Sequence, residues 1–291
     1  MNRLLVGRSR RSGVVLALTA TLLAAGLYGV AAPRPALAGA ATHSGTVDVL
    51  YAGSLFDAMQ QRIDPAFHAA TGYSVSGFSN GSDALASEIR GRTQVADVFI
   101  SASPSVNASL AGAANGSWVS SYDVFGSSTL VLGYNPSSSF ASALRHQPWY
   151  DVVTRPHFRL GRTDPATDPK GVLAVDALRG VALSYAKPSL NALATSSSNI
   201  FDETALVGQL QAGQLDAGFF YRVEADSAHL STAPLVGTSL AGLYTVALVH
   251  GAPHGAAARA FVSFLLSASG RRLLSEAGVT PIVPAKVVAV R

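Results

Sequence analysis

The sequence predicts an α/β fold with a largely parallel sheet, and two observations carry that expectation. Short apolar runs alternate with amphipathic segments of helical period, and two strand-to-helix junctions near the start of the mature chain end in Gly-Ser pairs. Strands are expected at 46–51, 73–78, 96–100, 129–134, 216–220 and 243–249, each rich in Val, Leu, Phe or Tyr and bounded by Gly, Asn or Pro. The first helical stripe is Leu55, Met59, Ile63, Phe67 and Ala70, opening on the capping-box spacing Ser54-Leu-Phe-Asp57 and ending at Gly72. Ser103-Pro104 reads as a cap followed by proline at the first helical position. The last helices are expected at about 256–268, with Phe261, Phe264 and Leu265 on one face, and at 270–277. Strand-helix alternation covers both faces of a sheet and leaves its ligands beyond the carboxyl ends of the strands.

Both Gly-Ser pairs, Gly53-Ser54 and Gly81-Ser82, fall at such ends. A helix N-terminus leaves backbone N–H groups unpaired and carries partial positive charge, so two facing one cleft make an anion site without a basic residue. Glycine allows close approach, and each serine can either cap the helix or donate to a ligand. Oxygen-rich anions suit such a site.

The first 38 residues read as a secretory signal peptide. Arg3, Arg8, Arg10 and Arg11 precede the apolar run 13–32, and Ala36-Leu-Ala38 offers a small-x-small cleavage site. Uncut, the twenty-residue run is long enough to anchor the chain in a membrane. Ser9-Arg10-Arg11 resembles a twin-arginine signal, except that Gly13 stands where a large apolar residue is preferred. Of the 21 Lys and Arg, five arginines lie in this leader, which has no acid, leaving 16 basic against 17 acidic residues. The excess charge therefore belongs to the leader, and neither a basic run nor aromatic-basic interleaving points to nucleic acid. The chain has no cysteine, hence no disulfide, thiolate metal site or lipidated N-terminal cysteine.

Several motifs then converge in order. Ala52-Gly-Ser-Leu55, Gly81-Ser82 with Leu85-Ala86, and Ala96-Asp-Val-Phe-Ile-Ser-Ala102 resemble the first lobe of the molybdate- and tungstate-binding proteins of ABC transporters. Trp149-Tyr150-Asp151 with Arg155-Pro156, the segment from Gly161 through Asp168 to Gly171, and Leu215-Asp-Ala-Gly-Phe-Phe-Tyr-Arg222 resemble its tungstate/molybdate branch. Phe261 to Ser267 and Gly278-Val-Thr-Pro281 are similar to the C-terminal helix and turn of the wider superfamily, so the likeness spans about residues 46–285. The resemblance implies a two-lobed type II periplasmic-binding fold with two crossing strands as hinge, near 127–134 and 240–248. Lobe one is expected at 43–126 plus 249–291, and lobe two at 127–248. It implies oxyanion contacts from Ser54 and Ser82, from Asp168 and the backbone near Gly171, with Tyr221 close by and Ser101 as a further candidate. Also implied are an extracytoplasmic location, no cofactor, a monomer, and partnership with a membrane permease and its ATPase. Metal enters only as the centre of the bound oxyanion.

One position departs from that branch. Where a glutamate usually precedes the Tyr-Arg pair, this chain has Phe220, so six-coordination of the metal is not expected and a tetrahedral oxyanion held by hydrogen bonds is. Asp168 could bond a metal centre, accept from a protonated anion, or cap the segment that follows. Arg162 and Lys170 flank it and could neutralise it, which would broaden the site toward sulfate, thiosulfate or phosphate.

Other classes were weighed on their own residues. Gly77-Phe-Ser79-Asn-Gly81 fits the G-x-S-x-G elbow of serine hydrolases, with Asp168 or Asp216 and His250 or His254 as partners, but a single strand precedes the elbow's own. His250 and His254 stand four apart across Gly251 and Pro253, which break any helix that would pair them on zinc. A ferric site would want adjacent tyrosines, and Tyr221 has none.

Overall fold

The computed structural model describes residues 44–290. The leader lies outside them, and among the described residues no helix is long and apolar enough to cross a membrane. Among the described residues, nine strands form one curled sheet: β1 (Thr46–Ala52), β2 (Ser74–Asn80), β3 (Val98–Ser101), β4 (Ser121–Tyr134), β5 (Leu160–Gly161), β6 (Ala217–Tyr221), β7 (Ser231–Ala233), β8 (Ala241–Leu248) and β9 (Thr280–Ala289). The order is β2-β1-β3-β8-β4-β6-β5, with β7 and β9 also on β4.

The six expected strands are present, but the sheet is mixed. β1 is parallel to β2 and β3, and β5 to β6, as strand-helix-strand units require. Between these sets run β8 and β4, antiparallel to each other and to their outer neighbours. Fourteen-residue β4 is the joint. Its early residues pair β8 and β9 and its last five pair β6, so one strand belongs to both halves of the sheet. Sequence reading had marked only its end, 129–134, because Gly126, Ser127 and Ser128 interrupt the apolar run.

The opening helical stretch is less regular than its stripe. After β1 come a 3₁₀ turn, Gly53–Leu55, a short α segment and a π turn, Met59–Ile63, before the α-helix Asp64–Thr71 stops on Gly72 at φ 82°. A left-handed stop of that kind is what glycine accommodates. Leu55, Met59, Ile63 and Phe67 are all buried, so the stripe faces the core through the irregular turns. The expected cap on Ser54 is not made; no side chain caps this turn. Helix Pro104–Ala108 begins with the expected proline, and helices Gly255–Leu265 and Ala268–Glu276 close the fold. The main core takes alternate strand residues, from Val47 and Tyr51 to Phe219 and Tyr221, and the intervening residues bury in two smaller clusters, one with Leu50, Phe99 and Ala247 and one with Val131 and Phe220. Burying each such large side chain contributes about 1.5–3 kcal/mol.

Candidate functional site

The two Gly-Ser junctions arrive at the carboxyl ends of β1 and β2, as α/β topology dictates. Ser82 opens helix Ser82–Gly91 and is buried, its Oγ accepting from Ala102 N at 3.1 Å beyond the end of β3. That bond uses a lone pair and leaves the hydroxyl proton free. Ser54 is buried in the 3₁₀ turn, its Oγ 2.9 Å from the Tyr244 hydroxyl on β8.

The other half of the sheet supplies Tyr221, at the end of β6, and Asp168, the N-cap of helix Pro169–Ser184. One Asp168 oxygen, Oδ1, accepts from Lys170 N at 2.9 Å. The other, Oδ2, is buried with no protein partner, and so is the Tyr221 hydroxyl. Two orphaned polar atoms, one a donor and one an acceptor, are costly to bury unless a ligand meets them. Burial drives the Tyr221 phenol well above its ordinary pKa, and the Asp168 carboxylate adds to the rise. Burial does the same for Tyr244, against the pull of its Ser54 bond. Both phenols therefore stay protonated and able to donate. Their rings meet edge to face with centroids 6.1 Å apart.

The helix N-termini, in contrast, are largely committed. In helix Ser82–Gly91, the N–H groups of Asp83 and Ala84 both donate to the Thr167 carbonyl, at 3.1 and 3.2 Å. Gly81 makes this approach possible, because a Cβ there would sit 2.4 Å from Thr167 O. In helix Pro169–Ser184, the N–H of Gly171 is spent on Asp168 O, and a Cβ at Gly171 would lie 2.6 Å from the backbone of 163–165. Gly171 thus serves packing of the preceding loop, while its N–H already has a partner. Ser101 is also committed, its Oγ donating to Ser103 O and accepting from Ser103 N, which closes the turn after β3. Among side chains, the donors left for an anion are hydroxyls.

Neither flanking cation is a free clamp. Arg162 is buried, and its guanidinium donates to the carbonyls of Thr163, Ala194 and Ser196. The fully buried Lys170 ammonium lies 2.6 Å from Glu203 and 2.6 Å from Glu224. Burial opposes its charge, but the carboxylates of Glu203, Glu224 and Asp168 outweigh that and hold its pKa above the ordinary lysine value. Burial, reinforced by Glu224, pushes Glu203 well above the usual carboxylate range, and burial also raises Glu224. Glu203 and Glu224 line, with Gly53, Ser54 and Ser79, a cavity of about 190 Å³.

Sequence reading missed Tyr244 and Glu203 and left Glu224 unassigned. Tyr244 carries no polar signal, sitting in an ordinary strand pattern. Glu224 did carry one: it is three residues past Tyr221, whose N–H its Oε2 accepts at 2.9 Å, as a capping-box spacing implies. Phe220 alternates away from Tyr221 and packs with Val131, Leu206 and Leu215 in a separate core cluster. The hydrolase constellation is not assembled. Ser79 lies within β2, while His250 bonds Ser117 O and His254 bonds Asp97.

The curled sheet has a central pair of antiparallel joint strands, and the turns and strand ends of its two halves carry buried hydroxyls and two orphaned polar atoms. Residues 47–280 match the family described as bacterial extracellular solute-binding protein, and the chain belongs to that family. A Haloferax volcanii chain provisionally named an ABC transporter molybdenum-binding protein is 32% identical over 190 residues, 64% of this chain and 59% of that one. The molybdate/tungstate-binding protein of Pyrococcus abyssi is 24% identical over 207 residues, 53% of this chain and 60% of that one. The chain thus spans about three-fifths of the length of these two relatives. Among solved structures, the periplasmic molybdate-binding protein of Azotobacter vinelandii has a TM-score of 0.61 at 18% identity, covering 82% of this chain and 99% of that one. The sulfate-binding protein of Mycobacterium tuberculosis also gives 0.61 at 18% identity, covering 83% and 88%. These likenesses establish the periplasmic-binding fold.

Proposed function

We propose that this chain is the solute-binding component of an ABC importer and that it holds molybdate or tungstate between two lobes, 43–126 plus 249–291 and 127–248. The observation that carries this is the pair of orphaned atoms, Tyr221 OH and Asp168 Oδ2, both buried without a protein partner and close enough for the Asp168 charge to act on the Tyr221 phenol. Hydroxyl donors satisfy an oxyanion without a counter-cation, and the unpaired carboxylate oxygen favours an anion whose central metal can accept it. Sulfate is the second reading, because position 220 faces a separate core cluster and offers no second carboxylate beside Asp168, which leaves hydrogen bonds to hold the ligand. Thiosulfate and phosphate follow it. The names of the two relatives support the first reading.

In this role the protein catalyses nothing. Its leader, 1–38, is cut on export, and the monomer works in the periplasm or at the outer cell surface. It delivers its ligand to a membrane permease driven by a cytoplasmic ATPase. A thermal-shift panel on the chain from Gly39 tests the ligand class. A ligand that binds only the folded state adds RT ln(1 + [L]/Kd), about 4 kcal/mol at a thousand times Kd. Molybdate and tungstate are expected to raise the melting temperature most and sulfate less. A response to ferric iron or an organic solute alone would remove the oxyanion reading.

A further inference from the structure

Resting on the oxyanion reading, we propose that Ser54 and Tyr244 act as one hydroxyl relay that presents a single O–H to the bound anion, with Tyr244 as the positioning residue. The two oxygens lie 2.9 Å apart and carry two protons between them, but the contact uses only one. Neither oxygen has a second partner among the hydrogen bonds of the described residues, so one buried proton is left to donate.

The chemistry sets the direction. A phenol is more acidic than a serine hydroxyl and is the better donor, so the Tyr244 O–H donates to Ser54 Oγ. The serine O–H is then both turned outward from the pair and polarised by the bond it receives. Ser54 has no other means of orientation, because its hydroxyl makes no cap bond to the turn it sits in. Tyr244 does. Its ring is wholly buried on β8, stacked near Phe125 at 6.2 Å and against Tyr221 at 6.1 Å, and is fixed from both sides.

A phenylalanine would fill the same ring space without burying a hydroxyl, which makes the phenolic oxygen the informative atom. β8 is one of the two joint strands of the sheet, paired to β3 and β4. The relay therefore makes a joint strand part of the ligand's surroundings, where contacts had been expected from the Gly-Ser turns and the Asp168–Gly171 segment.

Molybdate titrations by calorimetry on the chain from Gly39, a compact unit, read the proposal directly. Ser54→Ala and Tyr244→Phe are each expected to lose about tenfold or more in affinity, and the double variant no more than the weaker-binding single one. Unfolding of Tyr244→Phe without ligand should match the parent, which separates the relay from a mere structural tie. Affinity unchanged in Tyr244→Phe, or losses that multiply in the double variant, would overturn it. Ser54→Cys tests the same pair from the other end should Tyr244→Phe fail to fold: the weak thiol donor should lose as much as alanine, and retained affinity would overturn the relay. If the unmutated chain ignores molybdate, tungstate and sulfate alike, the oxyanion reading fails first.

Discussion

Asp168 does two jobs with two oxygens, and its mutation separates them. Oδ1 caps helix Pro169–Ser184, a role asparagine can keep, while Oδ2 is unpaired. Asp168→Asn should therefore weaken molybdate far more than sulfate, since an amide is a poor metal ligand, and competition titrations with the two anions measure the ratio. Equal responses would mean that Asp168 is only a cap. Ser82→Ala behaves differently, because its Oγ also serves the buried Ala102 N–H. It is expected to cost about 1–3 kcal/mol of stability together with up to about a hundredfold in affinity, read by denaturant unfolding and titration of one variant. His254, far from these residues in role, sets a pH dependence. Its bond to Asp97, 2.8 Å, raises its pKa above the ordinary value, with Asp48 at 3.3 Å assisting. A raised pKa stabilises the fold fully below the unfolded value near 6.5 and loses that contribution as pH rises through the folded one. Urea midpoints at pH 6 and pH 9 should differ by less in His254→Gln than in the parent.

At the scale of elements, the close approach of helix Ser82–Gly91 to the 163–168 loop depends on Gly81. A Cβ 2.4 Å from a backbone carbonyl has nothing flexible to displace, so Gly81→Ala should push the loop off the helix and break both bonds to Thr167 O. Lower molybdate affinity with the helical signal retained is the expected outcome in calorimetry and circular dichroism. Phe220→Glu is the opposite case. Its ring is fully buried, and the glycines Gly133 and Gly218 are shaped around it, with atoms 2.6 and 3.0 Å from their would-be Cβ positions. A carboxylate there should cost several kcal/mol in unfolding experiments with no gain in tungstate selectivity. The sequence made the Gly-Ser junctions and the Asp168 cap legible because turns and caps are local chemistry. It could not show that Thr167 O would take the helix N–H groups, or that Lys170 would be claimed by Glu203 and Glu224, since those partners lie 33 and 54 residues away.

For the whole molecule, strand-helix alternation revealed the parallel sets around β1 and β6, while β4 and β8 showed in their own residues only as two apolar runs and were expected as crossing strands through the family resemblance alone. β9 was hidden for a similar reason: an exposed strand with Pro281 and Pro284 lacks the pattern of a buried one. Tyr244 stayed silent because a buried phenol and a buried phenyl look alike in a strand. All these pieces bear on one claim, that buried hydroxyls and an unpaired carboxylate enclose an oxyanion. Calorimetric titration of the chain from Gly39 with molybdate, repeated on Tyr221→Phe, tests it most directly. Saturable one-to-one binding is expected in the parent and a loss of about tenfold or more in the variant, whose ring packing is unchanged. Equal affinity in the two proteins, or no binding of molybdate, tungstate or sulfate by the parent, would contradict it.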